Sequence, residues 1–562
     1  MNDIYKYINK KYSKYKLPKD TQSMKQICLP KKFEFQPSQS FLADYFIDNN
    51  APTGLLVYHK IGAGKTCTAI NMAEKFMTKY KNYKVVVVLP AALMGNFRNE
   101  LRSECPSDKY ISKAERNELK ILKPDDTKFK KIIQKSNDKI DKNYTIYSYH
   151  KFVDLSKRNK LNLNNSLLII DEIQNMVSLT GSFYRNLLKQ INVKNIRIIL
   201  LSATPMFDKP NEIALTLNLL KPEKPLPIGS EFDKKYLSVK RVDNLISYKV
   251  KNINKLKNQM MNMISYYRGA PPQAFPTEIF RVVKCKMENF QYKSYLSVLN
   301  QEDRFYKNKN IDILDLPNNF YIGPRMILNV SFPNKSFGIN GYRSFTKDLL
   351  NIEKIETYST KFYKILKKIK SVKGTVFIYS NFKEYGGLRT FSKFLIANGY
   401  KDYKENGEGN KRFAIWSSDE THEMKEEIKF IFNQKSNSDG SKLKIIMGSP
   451  SIKEGVSLLR VQQVHIMEPY WNYSRILQII GRASRHCSHK DMPPDKRQVK
   501  IYLYLSTYPN KYTIDQYIWD LAKEKNKIIS QFETILKEVA IDCSLFYNRN
   551  VYKDEKPLKC IK

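Results

Sequence analysis

An apolar run from Gly54 to Tyr58 leads into His59, Lys60 and Ile61, and then into Gly62, Ala63, Gly64, Lys65 and Thr66. Glycines at such spacing let backbone N–H groups curl around phosphate oxygens at the positive end of a helix, here predicted through Ala69 to Phe76. Lys65 then reaches the β and γ phosphates of a nucleotide and Thr66 offers its hydroxyl to Mg2+. His59 departs from the pattern, because such a loop often starts with glycine. About a hundred residues on, an acidic pair, Asp171 and Glu172, ends a predicted strand. The chemistry that fits is Mg2+ held by Asp171 and a water oriented and deprotonated by Glu172. Ser202 to Pro205 closes the next strand, where the small hydroxyls of Ser202 and Thr204 can bond the acidic strand and relay the nucleotide state. Far downstream, Gln478 to Arg485 carries Arg482 and Arg485, three apart and on one face of a predicted helix. Two guanidinium groups aimed across a cleft stabilise charge on a phosphoryl group in transfer.

These residues need strands and helices that bring them together. Val85 to Leu89, Leu167 to Ile170 and Ile198 to Leu201 are apolar throughout, the signature of parallel strands buried on both faces. A second set of strands is predicted at Thr375 to Tyr379, Leu443 to Met447, Val464 to Met467 and Val499 to Leu503. The expected fold class is α/β, with two RecA-like parallel-sheet lobes, a mainly helical insertion between them and a helical C-terminal extension. The boundaries read as a basic N-terminal arm at 1–32, lobe 1 at 33–205, the insertion at 206–354, lobe 2 at 355–508 and the extension at 509–562.

The chain has 562 residues, enough for about three or four structural units. Its 97 Lys and Arg against 55 Asp and Glu give a net charge of +42, a field that favours polyphosphates and nucleic acid. Lys, Asn, Ile and Tyr share A/T-rich codons, so genome composition supplies part of that charge. Seven dispersed cysteines without a paired C-x-x-C spacing predict neither a zinc module nor a disulfide framework, and fit a reducing compartment. No apolar run is long enough for a membrane span, and residues 1–19 lack a secretory signal; the expectation is a soluble, intracellular protein.

In this order the blocks resemble helicase superfamily 2 over roughly residues 35–504. Gln36 to Gln39 looks like the adenine-reading Q element, and Gly62 to Thr66 like motif I. Leu89 to Leu93 and Tyr147 to Tyr149 occupy the Ia and Ib regions; Asp171 to Gln174 and Ser202 to Pro205 look like II and III. Phe377 to Asn381 looks like IV, Glu454 to Ser457 like V and Gln478 to Arg485 like VI. The resemblance implies ATP and Mg2+ as cofactors, with Lys65, Asp171, Glu172, Gln174, Arg482 and Arg485 catalytic. It implies nucleotide contacts from Gln39, Gly455 and Gln478 besides Gly62, Ala63, Gly64, Lys65 and Thr66. Thr66 and Asp171 serve the metal, Ser202 and Thr204 the coupling, and Pro90, Tyr149, Ser380 and Gly455 the nucleic-acid track.

A closer similarity is to large-DNA-virus transcription ATPases, the poxvirus early transcription factor small subunit and the nucleoside triphosphatase I type. It rests on Tyr58 to Thr66, Ile264 to Gly269 with Phe275 and Pro276, and Ala540 to Cys543. It implies DNA, a viral RNA polymerase and a second factor subunit as partners, and the virion and host cytoplasm as location. Trp471 and Asn472 look like the W-N element of Swi2/Snf2 translocases, with a core aromatic as the alternative for Trp471. Ser457 and Gln478 stand 21 positions apart, which leaves little room between them for a strand-separating hairpin. Walking along a duplex is therefore favoured over unwinding it; an RNA helicase and a non-catalytic DNA-binding scaffold are the rival functions. His486, Cys487 and His489 lack further ligands at zinc spacing and predict no metal site. Tyr5, Tyr7, Tyr12 and Tyr15 could stack on bases, but are better explained as a surface helix or arm.

Overall fold

The computed structural model describes residues 3–18, 24–29, 32–122, 126–178, 181–242, 245–306, 311–312, 314, 316–317, 319–336, 338–453, 456–552 and 555–561. In chain order the strands of the N-terminal half are β1 (Gly54–His59), β2 (Lys84–Leu89), β3 (Tyr144–Ser148), β4 (Ser166–Ile170) and β5 (Ile196–Ser202). Then come β6 (Leu237–Val242), β7 (Leu245–Val250), β8 (Ile264–Tyr267), β9 (Thr277–Lys286) and β10 (Ile311–Asp312). The C-terminal half adds β11 (Thr375–Tyr379), β12 (Lys401–Asp402), β13 (Arg412–Trp416), β14 (Ile445–Gly448), β15 (Val461–Ile466) and β16 (Gln498–Thr507).

The chain divides into two compact units, one of residues 1–238, 248–271 and 528–562, the other of 239–247 and 272–527. The first unit holds a six-stranded sheet in the order β3-β2-β4-β5-β1-β8, with each pair parallel. Its central strands are mainly aliphatic and buried on both faces, as parallel sheets covered by helices require. Leu55, Val57, Val85, Val87, Leu167 and Ile169 share one core with Phe41 and Ile70 of the flanking helices. Each such fully buried side chain contributes about 1.5–3 kcal/mol.

The second unit holds a seven-stranded parallel sheet, β12-β13-β14-β11-β15-β16-β9. Strand alternation sends Phe377 and Tyr379 of β11 into one core and Val376 and Ile378 into another, so the sheet is covered on both faces. The fold is therefore α/β with two parallel-sheet lobes.

The stretch 206–354, expected as a mainly helical insertion, has more of its residues in helices such as Asn289–Tyr306 than in strands, but it is also woven into both sheets. It supplies β8, the edge of the first sheet, and β9, the edge of the second, besides β6, β7 and β10 of a small third sheet. The N-terminal segment is likewise no loose arm. Ile8 and Tyr12 belong to the first unit's core, the Tyr5 hydroxyl donates to Val539 O at 2.7 Å, and those of Tyr7 and Tyr12 donate to Asp48 at 2.9 and 2.6 Å. Tyr15 donates to Asp44. With these hydroxyls engaged and the rings of Tyr5 and Tyr12 buried, the tyrosines hold the helix Asp3–Lys11 down rather than presenting faces to bases.

Cys67 is disulfide-bonded to Cys105 and Cys543 to Cys560, with Cα atoms 5.8 and 5.6 Å apart. This corrects the cysteine reading: partners 38 and 17 residues apart leave no local motif to detect. No described helix is long and apolar enough to cross a membrane.

Candidate nucleotide site

In the first unit the sequence-predicted residues fall at the carboxyl ends of the parallel strands, where ligands bind in open α/β sheets. The loop Lys60–Gly64 follows β1, Pro90 follows β2, Tyr149 follows β3, Asp171 follows β4 and Ala203 follows β5. Only β5 separates β4 from β1, so the acidic pair and the glycine loop arise on strands about 10 Å apart, room for phosphate and a hydrated cation.

Gly62 and Gly64 have φ of 81° and 74°, a region that suits glycine. Gly64 is the N-cap of the helix Lys65–Lys79 and no side chain caps it, which leaves first-turn N–H groups for an anion. A Cβ at Gly64 would stand 2.8 Å from Gln39 Nε2, so a side chain there would both strain the backbone and displace the Gln39 amide. Gln39 accepts from Gln36 N at 2.9 Å and donates to Gly64 O at 3.3 Å, which ties the Q element to the glycine loop itself.

Asp171 is buried and its Oδ1 accepts from Glu172 N at 3.0 Å. Glu172 has φ 52°, a strained left-handed conformation for a residue with a side chain. Gln174 Nε2 donates to Glu172 Oε2 at 2.6 Å, Ser202 Oγ donates to Gln174 Oε1 at 2.6 Å, and Thr204 N donates to Ser202 Oγ at 3.0 Å. The acidic loop and the end of β5 are thus one hydrogen-bonded chain. The donor set fits ATP with a hard divalent cation: an open helix terminus for phosphate and carboxylate and hydroxyl oxygens for the metal. A cation held there would neutralise phosphate charge, with Lys65 and the loop amides as the groups to bind and orient phosphates and Glu172 as the carboxylate to orient water and accept its proton.

Three residues expected on a nucleic-acid track, Pro90, Tyr149 and Ser380, have buried side chains. The Tyr149 hydroxyl is buried and donates to Asp171 O, and to Glu172 O at 2.9 Å, so it braces the strained acidic turn. Pro90 is buried. Ser380 is fully buried and donates to Glu468 Oε2 at 2.9 Å; Glu468 also accepts from Asn329 at 2.8 Å. The Tyr149 and Ser380 hydroxyls are engaged in internal hydrogen bonds, which the motif pattern does not reveal. Gly455 lies outside the described residues.

In the second unit the helix Tyr473–Ala483 carries Gln478 and Arg482, but it ends before Arg485. Ser488 Oγ accepts from Arg485 N at 3.3 Å, a non-helical bond. Arg485 therefore lies past the helix rather than on its face, and its guanidinium donates to Ser457 Oγ. Leu458 N donates to Arg482 O at 2.9 Å, so the segment after Glu454 and the arginine segment are clasped together. Asn472 caps the helix, accepting from Ser474 N at 2.9 Å, and Trp471 is buried, stacked on Tyr470 with ring centroids 4.0 Å apart. His489 spends both ring nitrogens, on Ser488 Oγ and Val461 O at 2.9 Å each.

A phosphate-binding loop, an acidic strand end and a second parallel-sheet lobe define a nucleoside triphosphatase of the superfamily 2 type. Residues 38–329 match the SNF2-related domain and residues 360–487 the helicase conserved C-terminal domain. The chain belongs to the SNF2-related family of helicase-type ATPases. It is 51% identical over 561 residues to "Putative ATP-dependent RNA helicase R563" of Acanthamoeba polyphaga mimivirus, covering 99% of this chain and 97% of that one. It is 26% identical to a termination factor NPH-I homolog of African swine fever virus, over 87% of this chain and 76% of that one.

Proposed function

We propose that the chain is an ATP-driven motor that walks on double-stranded DNA in viral transcription, as an initiation-factor subunit or as an elongation and termination ATPase. The observation that carries the motor reading is the chain Glu172–Gln174–Ser202–Thr204: the residue that handles water is hydrogen-bonded to the strand end through which movement is relayed. Lys65, Thr66 and Asp171 hold ATP and Mg2+, Gln39, Gly455 and Gln478 add nucleotide contacts, and Arg482 and Arg485 supply positive charge to the phosphoryl group. The SNF2-related match and the name of the African swine fever virus relative favour duplex DNA and transcription. A viral RNA polymerase and a second factor subunit are the proposed partners, and the virion and host cytoplasm the proposed location.

The mimivirus relative's name favours a second reading, an ATP-dependent RNA helicase for transcript processing. ATPase assays with duplex DNA, single-stranded DNA and RNA decide between them, run beside Glu172→Gln. Stimulation by duplex DNA supports the DNA motor, stimulation by RNA alone supports the second reading, and Glu172→Gln hydrolysing at the wild-type rate removes both.

A further inference from the structure

His59 and Lys60 open the phosphate loop from behind, and both are tied to the C-terminal segment. The His59 side chain is fully buried and its Nε2 lies 3.0 Å from Ser265 Oγ. Ser265 Oγ donates to Asp542 Oδ2 at 2.5 Å, and Tyr266 N donates to Asp542 Oδ1 at 2.9 Å; Ser265 and Asp542 are also fully buried. With the serine proton on the carboxylate, His59 must donate through Nε2, which leaves Nδ1 as an acceptor with no hydrogen-bond partner among the described residues. Burial, then the nearby Lys65 charge, pushes the imidazole down to about 3, so it stays neutral.

The same elements frame the loop. β8 pairs with β1 with Tyr58 opposite Tyr266 and His59 opposite Tyr267, and Lys60 N donates to Tyr267 O at 3.1 Å. Just past β8, a Cβ on Gly269 would stand 3.1 Å from that of Ala63, so this backbone lies directly against the loop. Ile541 N donates to Ile264 O at 2.8 Å, and Asn550 bonds both Tyr266 O and Arg268 N, at 3.0 and 2.9 Å. Lys60 Nζ pairs with Glu533 at 3.2 Å. The three phrases around His59, Ser265 and Asp542, remote in sequence, therefore meet behind the phosphate loop.

We propose that Asp542 is a positioning residue for the nucleotide site: through Ser265 and His59 it fixes the register of β8 against β1 and hence the shape of the phosphate loop. The proposal rests on the reading of Gly62–Thr66 as the ATP loop. Apolar packing tolerates small slips, whereas a buried polar chain has one satisfied arrangement, so its loss deforms a loop whose amides must converge on phosphate.

The test is steady-state ATP hydrolysis by the full chain carrying Ser265→Ala, Asp542→Asn, Ser265→Thr or Lys65→Ala, with thermal midpoints recorded. Burial lifts the Asp542 carboxyl to about 7, against hydrogen bonds from Ser265 and Tyr266, so assays run near pH 8, where it is the ionised acceptor. Ser265→Ala and Asp542→Asn raise KM for ATP about ten-fold while kcat falls less than about three-fold, because loop shape sets binding common to ground and transition states. Ser265→Thr, which keeps the hydroxyl, stays within about two-fold of wild type. Wild-type KM in a folded Ser265→Ala or Asp542→Asn protein overturns the proposal, even if the thermal midpoint falls. A Ser265→Thr protein as impaired as Ser265→Ala does the same. Should Asp542→Asn not fold, Ser265→Ala, which removes one oxygen, decides alone. Lys65→Ala hydrolysing like wild type would instead remove the underlying ATP-loop reading.

Discussion

The Ser202 hydroxyl donates to Gln174 Oε1 at 2.6 Å, while the other end of the same amide holds Glu172. A single side chain thus bonds both the Glu172 carboxylate and the end of β5. Ser202→Ala removes that link without touching the phosphate loop. ATP affinity is expected to stay near wild type, and duplex-stimulated turnover to fall by about five-fold, the value of one neutral hydrogen bond of about 1 kcal/mol. Movement per ATP should fall further, which a triplex-displacement assay run beside phosphate release measures. Displacement and hydrolysis falling in equal proportion would remove the coupling role.

Glu172 is assigned the water. Replacing it by Gln keeps the bond to Gln174 sterically possible but removes the proton acceptor. The expected loss in kcat is about 10²–10⁴-fold, the usual contribution of a positioned general base, with nucleotide affinity changed by no more than a few-fold. Equilibrium binding of a fluorescent ATP analogue together with single-turnover hydrolysis separates the two quantities.

Which features were legible in the sequence follows from what each requires. Gly62–Thr66 and Asp171–Glu172 could be read because phosphate and metal chemistry fixes residue types at adjacent positions. β2 and β4 could be read because burial on both faces demands unbroken apolar runs. β9 could not: as an edge strand with most residues exposed it mixes Ile279, Phe280, Val282 and Val283 with Glu278, Arg281, Lys284 and Lys286, with neither strict alternation nor a buried run to betray it. The same holds for β3, an edge strand that is only partly buried. Ser265 and Asp542 are 277 positions apart, so nothing local in either phrase announces their bond. For Tyr149 the motif marks the position at the end of β3 but not the direction of its hydroxyl, which bonds the acidic turn.

Tyr149→Phe tests what that hydroxyl does. Losing a hydroxyl that serves one buried and one part-buried carbonyl oxygen costs about 1–3 kcal/mol and releases the turn that strains Glu172. Turnover should fall about ten-fold, with the dissociation constant for DNA in the absence of nucleotide within two-fold of wild type. A DNA affinity that weakened as much as turnover fell would return Tyr149 to the nucleic-acid track.

His465 gives the second unit a predictable response to acid. It lies on β15, fully buried, bonded to Tyr504 Oη at 2.7 Å and Gln463 Oε1 at 3.0 Å. Burial, and then the charge of Lys368, pushes its pKa down to about 3 from an ordinary value of 6.5. In the folded protein it therefore stays neutral across the range in which the unfolded chain takes up a proton. The unfolded state binds more protons below about 6.5, so the contribution to stability is complete above that pH and is lost progressively as pH falls toward 3. His465→Gln, which retains a donor and an acceptor but cannot titrate, should flatten the slope of unfolding free energy between about pH 6.5 and 5. Urea titrations of both proteins at matched pH values measure it; parallel slopes would mean that His465 is protonated in the fold as readily as out of it.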